Sequence, residues 1–198
     1  RGLGDVYKRQ SKGCKRKWMN ASDGECGSAG ISVLWPDVNN ETFQDALRDA
    51  ESSDKPNNIS PAIVYSLDEG VRALWLGDME NDYMEAIEDD IALSPVDILF
   101  APHHGRKSGR VPKIWLDKLD PRLIVVGEAP SDELDYYSNY NTLTQNSAGD
   151  ILFCCEAGKT HVYVGSPSYS VNFLDRDPNA SVVKGSLYYL GSFDCGDR

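Results

Sequence analysis

The sequence predicts an α/β domain with a mixed sheet, because strand-like runs dominate and helical segments fall between the middle runs. Apolar runs of strand length recur along the chain, whereas none approaches the roughly 20 apolar residues of a membrane helix. The chain has 198 residues, of which 40% are hydrophobic and 26% charged. These values are typical of one globular domain with a sizeable core.

The first predicted elements are a strand, a helix and a hairpin. Residues 31–35, ISVLW, are apolar and precede a proline, which predicts a strand. Residues 41–53 repeat apolar side chains at helical spacing. The strand-like runs 61–67 and 71–77 flank Asp-Glu-Gly, and this pattern predicts a hairpin.

Helices and strands alternate in the middle of the chain. Residues 79–93 form an acidic amphipathic pattern that predicts a helix, and residues 110–120 predict a second, shorter helix. The apolar runs 96–102 and 122–128 are continuous, as in strands that are buried on both faces. The polar residues 129–149 are predicted to form a loop.

The predicted domain boundaries follow from the last elements. Residues 150–156 and 160–165 predict a second hairpin, and one further apolar piece follows at 185–193. We therefore expect the main domain to cover 31–165 and treat 166–198 as a C-terminal extension.

The first 30 residues are predicted to lie outside the domain. Residues 1–10 end in DVYKRQ, whose back-translation resembles a transposase end used to prepare sequencing libraries. We expect these residues to be adapter read-through and the chain to be truncated upstream. Residues 11–30 are rich in Gly, Ser and Lys and are expected to be poorly ordered.

Charge and cysteine content restrict the function classes. The net charge of −11 and pI of about 4.7 disfavour a protein that coats duplex nucleic acid. The five cysteines show no zinc-type Cys-x-x-Cys spacing, and the adjacent Cys154 and Cys155 are predicted to be core thiols. A reducing compartment, the cytoplasm, is expected.

Two short motifs follow predicted strands. Asp78 comes after the apolar run 71–77, where α/β proteins place functional carboxylates, although it could instead cap the next helix. His103 and His104 come directly after the run 96–102, and Gly105 allows a tight turn there. Imidazoles are frequent zinc ligands, and a strand–helix–strand unit would make the two motifs neighbours.

Polar residues around these motifs are candidates for supporting roles. Asn58 and Ser60 precede the first middle strand, where turn formation alone would also explain them. Four cations follow the histidines: Arg106, Lys107, Arg110 and Lys113. They would suit a phosphate-bearing substrate, although a solvated loop and helix start would also explain them.

Together, NNIS, WLGDME and LFAPHHG resemble, in this order, the metallo-β-lactamase fold hydrolases. The resemblance is closest to the hydrolase domain of ComEC-type DNA-uptake proteins and their stand-alone relatives, and it covers roughly residues 31–165. It implies an αββα sandwich with one or two zinc ions, or manganese, at one edge. Asp78 and one of His103 and His104 would then be catalytic metal ligands, and a metal-activated water would attack an ester bond.

The resemblance also implies roles for the surrounding residues. Asn58 and Ser60 would lie beside the metal or contact substrate, as would Arg106, Lys107 and Ser108. A phosphodiester, either a small molecule or a nucleic acid, is the favoured substrate, and lactone, thioester or β-lactam substrates remain open. Relatives occur as soluble enzymes and attached to membrane channels, so membrane-attached and extracytoplasmic placements are alternatives to the cytoplasm.

The chain departs from the family pattern in two places. The family's main ligand motif, His-x-His-x-Asp-His, is missing, and the remaining histidine is His161. Either the motif was lost by truncation or the domain is a binding or regulatory module without catalysis. The later Asn…His-Pro motif is replaced by a polar stretch whose candidate substrate contacts are Tyr140, Asn141, Thr144 and Gln145.

Overall fold

The computed structural model describes residues 30–53 and 55–197. Residues 1–29, with the predicted adapter read-through and most of the stretch expected to be poorly ordered, lie outside the described residues. The described residues form two β-sheets and several helices, which confirms the predicted α/β class.

The first sheet has six strands in chain order. They are β1 (Ile31–Trp35), β2 (Ala62–Ser66), β3 (Arg72–Trp75), β4 (Ile98–Phe100), β5 (Leu123–Val126) and β6 (Thr142–Thr144). The first three strands pair antiparallel, and β3 to β6 pair parallel. The sheet is mixed, as predicted, and β2 and β3 form the predicted hairpin.

Helices cover one face of this sheet. They are α1 (Glu41–Ser53), α2 (Asn81–Ala86) and α3 (Lys113–Leu119), while the single turn α4 (Gln145–Ala148) follows β6. Met84 and Trp115 belong to one buried cluster with Leu74, Leu99 and Ile124 of the sheet. Burying each such side chain contributes about 1.5–3 kcal/mol, so this cluster fixes the helices on the sheet.

The second sheet packs against the other face of the first. Its strands are β7 (Ile151–Glu156), β8 (Lys159–Val164), β9 (Val183–Lys184) and β10 (Leu187–Asp194), paired antiparallel in the order β7, β8, β10, β9. Phe153 meets Phe100 of the first sheet edge to face, with ring centroids 6.1 Å apart. The segment 166–198 was predicted to be a C-terminal extension. It contributes β10, which is one of the two central strands of this sheet.

Two predicted elements differ from the structure. The acidic helix predicted over 79–93 is confined to Asn81–Ala86, and the chain then continues in turns. Acidic side chains crowd the end of that segment, and negative charge near a helix C-terminus is unfavourable. The stretch 129–149, predicted to be a loop, contains a 3₁₀ helix at Ser131–Tyr137 as well as β6 and α4.

A buried carboxylate joins three strands at the amino edge of the first sheet. Asp97 is fully buried, and its carboxylate accepts hydrogen bonds from the Arg72 backbone N–H at 2.8 Å and from Arg122 Nε at 3.0 Å. Its backbone also donates to the carbonyl of Arg72 and accepts from the N–H of Leu123. This contact holds the starts of β3, β4 and β5 in register.

Candidate functional site

The candidate site lies at the carboxyl edge of the first sheet, where the parallel strands end. The backbone N–H of His103, beyond β4, donates to the carbonyl oxygen of Gly77, beyond β3, at 2.9 Å. Gly127 follows β5, and Gln145 follows β6 at the same edge. The structure therefore confirms the predicted proximity of the Gly-Asp and His-His loops.

The two histidines occupy an unusual backbone conformation. His103 has φ 49° and ψ 41°, His104 has φ 60° and ψ 11°, and Gly105 continues with φ 87°. A residue with a Cβ in this left-handed region costs roughly 1–2 kcal/mol. Such strain concentrates at functional sites, where the surrounding structure compensates for it. The two histidines are thus held in the left-handed conformation, just before the turn that Gly105 was expected to allow.

Glycines on neighbouring segments make room for the two histidines. A Cβ on Gly109 would lie 2.6 Å from the Cβ of His103, and one on Gly127 would lie 3.1 Å from the Cα of His104. Side chains at these positions would push the loop out of place. The close packing supports the left-handed conformation at both histidines.

The Asn-Asn-x-Ser turn positions the loop that carries Asp78. Ser60 Oγ accepts a hydrogen bond from the Asp78 backbone N–H at 3.0 Å, and Asn58 Oδ1 accepts from the Glu80 backbone N–H at 3.0 Å. Asn57 Nδ2 donates to the Glu80 carboxylate at 3.1 Å. Asp78 itself is exposed and does not cap α2, which begins at Asn81 after Glu80. Its side chain is therefore available for another role.

His103 faces a wide polar cavity of about 640 Å³. Ser108 Oγ and His103 Nδ1 share a hydrogen bond of 2.9 Å, which fixes the orientation of the imidazole ring. The other lining residues are all polar or charged: Glu80, Asn81, Asp82, Arg106, Lys107 and Glu133. This cavity brings cations and carboxylates to the same imidazole.

His104 faces a different cavity, of about 290 Å³. Asp78 and Gln145 also line it, so a carboxylate, an imidazole and an amide meet there. Trp75 and Phe100, which stack with ring centroids 4.5 Å apart at an interplanar angle of 11°, line the same cavity. The two adjacent histidines therefore face separate cavities, and Asp78 lines the same cavity as His104.

The four predicted cations do not act as one cluster. Arg106 and Lys107 are exposed and line the His103 cavity. The Arg110 guanidinium instead lies over the Tyr136 ring, 4.9 Å from its centroid, and Lys113 pairs with Asp117 at 2.6 Å. Two of the four thus remain candidates for binding an anion.

The four candidate substrate contacts in the polar stretch 129–149 also lie in different surroundings. Gln145 reaches the His104 cavity. Asn141 precedes β6, and its side chain donates to the carbonyl of Arg122 at the opposite edge of the sheet. Tyr140 packs against the helix-side core, and the Thr144 backbone N–H donates to the Tyr169 hydroxyl. Of these four residues, Gln145 is the one that joins Asp78 and His104.

Several lining residues were not predicted. Glu80 and Asp82 fell within the acidic helix predicted over 79–93 and were not assigned to the site, although they directly follow the Gly-Asp motif. Glu133, whose carboxylate accepts from the Lys107 backbone N–H at 2.8 Å, lies in the segment predicted to be a loop. Trp75 is 37% exposed at the end of a strand otherwise assigned to the core.

Within the described chain, the site offers only part of the donor set that zinc or manganese requires. Asp78 and His104 are suitable in type, but the described residues contain no group of three or more His, Cys, Asp or Glu side chains able to hold a metal. A catalytic zinc ion takes three protein ligands. These two donors therefore fit part of such a site and need others to complete it.

Comparisons of the sequence with models of protein families and with curated proteins find no match. Among the described residues, no helix has the length and apolar character needed to cross a membrane.

Proposed function

We propose that the carboxyl edge of the first sheet belongs to the active site of a metal-dependent hydrolase of the metallo-β-lactamase superfamily, with the corresponding αββα sandwich. The main support is the strained turn that holds His103 and His104 beside the Gly77–Asp78 loop. The cytoplasm is the compartment we propose, because a reducing environment suits the free thiols of the described cysteines.

The proposed cofactor is one or two zinc ions, or manganese. Asp78 and His104 are the donors we assign to it, because both line the same cavity. Further donors must complete the coordination. When bound, such an ion supplies positive charge that polarises an ester and acidifies nearby water.

His103 is assigned to proton transfer. Its Nδ1 is engaged by Ser108, so Nε2 is the nitrogen that exchanges a proton with substrate or water. Imidazole suits this task because its ring nitrogens can both accept and donate a proton. Ser108 acts through His103, as a residue that fixes the ring orientation.

A phosphodiester is the substrate class we favour, and single-stranded nucleic acid is its most suitable polymer. Arg106 and Lys107 offer exposed cations beside His103, which attract phosphate. The partly exposed Trp75 stacks on Phe100 at the edge of the neighbouring cavity. Exposed aromatic rings are platforms for unpaired bases, and stacking contributes about 1–3 kcal/mol per base.

The test combines metal binding with turnover by the full chain. Calorimetric titration with Zn²⁺ and Mn²⁺ should show binding that weakens in Asp78→Asn and His104→Ala, whereas Asp68→Asn, in the β2–β3 turn, should leave it unchanged. Hydrolysis of bis(p-nitrophenyl) phosphate should fall in the same two variants and in His103→Ala. Turnover that survives all three changes would contradict the proposed site.

A binding or regulatory module on the same fold is the second candidate. The pair of Trp75 and Phe100 together with Arg106 favours it, because these groups can bind an oligonucleotide without chemistry. Fluorescence anisotropy with a labelled single strand distinguishes the two functions. Binding that Trp75→Ala weakens, with no cleavage at saturating Zn²⁺ or Mn²⁺, would favour the module.

A further inference from the structure

The adjacent cysteines of β7 face opposite sides of the second sheet. Successive side chains of a strand alternate, and Cys155 packs among the residues between the two sheets. Cys154 pairs with His161 of β8, with both residues half-buried. The prediction that both are core thiols is therefore wrong for Cys154, which lies on the outer face.

A lysine from the far edge of the sheet reaches Cys154. Lys184 Nζ, at the end of β9, donates to Cys154 Sγ at 3.1 Å and lies 5.9 Å from the centroid of the Tyr163 ring. Strands β8 and β10 separate β9 from β7, so a flat sheet would place β9 about 14 Å from β7. The curling of the second sheet brings the ammonium group to the sulfur. The hydrogen bond to Cys154 raises the pKa of Lys184, so its ammonium form persists.

The neighbours of this pair complete a polar cluster. His161 lies directly opposite Cys154 in the β7–β8 register. Its Nδ1 is 3.4 Å from the Tyr189 hydroxyl, and Tyr189 packs against Tyr163 with ring centroids 5.3 Å apart. Cys154 thus accepts a hydrogen bond from an ammonium group and lies opposite a histidine in the sheet, and a neighbouring lysine is a common feature of reactive cysteines.

We propose that Cys154 is a modification site, a reactive thiol that Lys184 activates toward peroxides and small electrophiles. With hydrogen peroxide, the Cys154 thiolate attacks one oxygen, so that an S–O bond forms and the O–O bond breaks. Sulfur is oxidised by two electrons to a sulfenic acid, and peroxide is reduced to hydroxide, which takes a proton from solvent.

The other two described cysteines provide internal controls. Burial raises the pKa of the Cys155 thiol and that of the Cys195 thiol, although each also interacts with Thr160. Both belong to the apolar cluster between the sheets. They should react slowly in the folded chain, because the thiol form is unreactive and reagent access is restricted.

The experiment measures iodoacetamide alkylation of the full chain at pH 7, with the rate of each cysteine determined by fragment mass spectrometry. Cys154 should react roughly tenfold faster than Cys155 and Cys195, and Lys184→Met should remove most of that advantage. Lys159→Met is the matched control, because Lys159 pairs with Asp177 at 3.6 Å and with Asp194 at 3.9 Å. In urea, the three cysteines should react at similar rates.

Peroxide provides a second readout. After brief exposure to hydrogen peroxide, dimedone should label Cys154 in the wild type and in Lys159→Met, and label it less in Lys184→Met. Circular dichroism establishes that each variant is folded, and both lysines lie on the surface. Equal rates for Cys154 and Cys155, or a rate unchanged by Lys184→Met in a folded protein, would overturn the proposal.

Discussion

The backbone N–H of His103 donates a hydrogen bond to the carbonyl oxygen of Gly77, with 2.9 Å between nitrogen and oxygen. This bond joins the loop that follows β4 to the loop that carries Asp78. A change in the conformation of one loop should therefore alter the other.

Gly77→Ala should destabilise the fold by about 2–4 kcal/mol, because it combines left-handed strain with overpacking. Gly77 has φ 60°, and a Cβ there would lie 2.6 Å from the Cβ of Ser60. Gly158→Ala is the matched control, since Gly158 has φ 75° but no atom within 4 Å of an added Cβ. It should cost about 1 kcal/mol. Urea unfolding measures both, and equal losses would show that the contact with Ser60 is unimportant.

Ser60→Ala should loosen the loop around Asp78. The Ser60 hydroxyl accepts from the Asp78 backbone N–H, and loss of such a bond costs about 0.5–1.5 kcal/mol. Hydrogen exchange of the Asp78 amide should accelerate by about tenfold, since 1.4 kcal/mol corresponds to that factor. Ser168→Ala, at an exposed position, should leave this amide unchanged. Unaltered exchange in Ser60→Ala would mean that other contacts hold the loop.

The strain at His104 predicts an unusual order of stabilities. His104→Gly should be more stable than His104→Ala by about 1 kcal/mol, because glycine adopts the left-handed region without penalty. At Lys118, exposed in α3, the order should reverse, since glycine is less favourable than alanine by about 1 kcal/mol in a helix. Thermal unfolding of the four variants provides the comparison. The same order at both positions would exclude strain at His104.

Ionisation of Tyr137 in the unfolded chain should lower the free energy of unfolding at high pH. Burial raises the pKa of this fully buried phenol well above its usual value, while its hydroxyl accepts from the Val111 backbone N–H at 3.1 Å. Because the unfolded phenol ionises near pH 10 and the folded one later, its contribution is fully present below pH 10 and declines above it. Tyr137→Phe should be less stable at pH 8, since the Val111 N–H loses its partner.

The difference between wild type and Tyr137→Phe should therefore narrow from pH 8 to pH 11 in urea titrations. Burial also raises the pKa values of Tyr83 and Tyr136. These residues are present in both proteins, so the comparison isolates Tyr137. A gap that stays constant with pH would contradict the prediction.

Reversing the charge of Arg106 and Lys107 should weaken phosphate recognition. The double change to glutamate should raise the Michaelis constant for a phosphodiester at least tenfold at low salt, with a smaller effect at high salt. Lys113→Glu is the control, because Lys113 pairs with Asp117 and does not line the cavity. Equal effects from both proteins would indicate a general charge effect.

The proximity of the Gly77–Asp78 loop to the loop that carries His103 and His104 was predictable from the order of elements. Parallel strands joined by a crossover place their carboxyl ends at one edge of a sheet. The left-handed turn at the histidines was not predictable, because Gly109 and Gly127 permit it through tertiary contacts. Which cavity each imidazole faces depends on that turn.

The short elements around Glu133 and β6 were also not predictable from the sequence. A three-residue strand with Leu143 as its single buried side chain has no detectable alternation. The 3₁₀ helix that carries Glu133 is held by contacts distant in sequence, such as the hydrogen bond from the Lys107 backbone N–H. The contribution of Glu133 to the acidic lining of the His103 cavity therefore emerged only from the structure.

Asp97 ties three strands together at the amino edge of the first sheet, whereas the histidine loops lie at the carboxyl edge. Through its carboxylate and backbone, this one residue anchors three strands at the edge opposite the histidines. These hydrogen bonds oppose sliding of the three strands, so a movement of the loops at the other edge would leave the strand register unchanged. Asp97→Ala should therefore disturb the geometry of the distant cavities, although Asp97 lines neither of them.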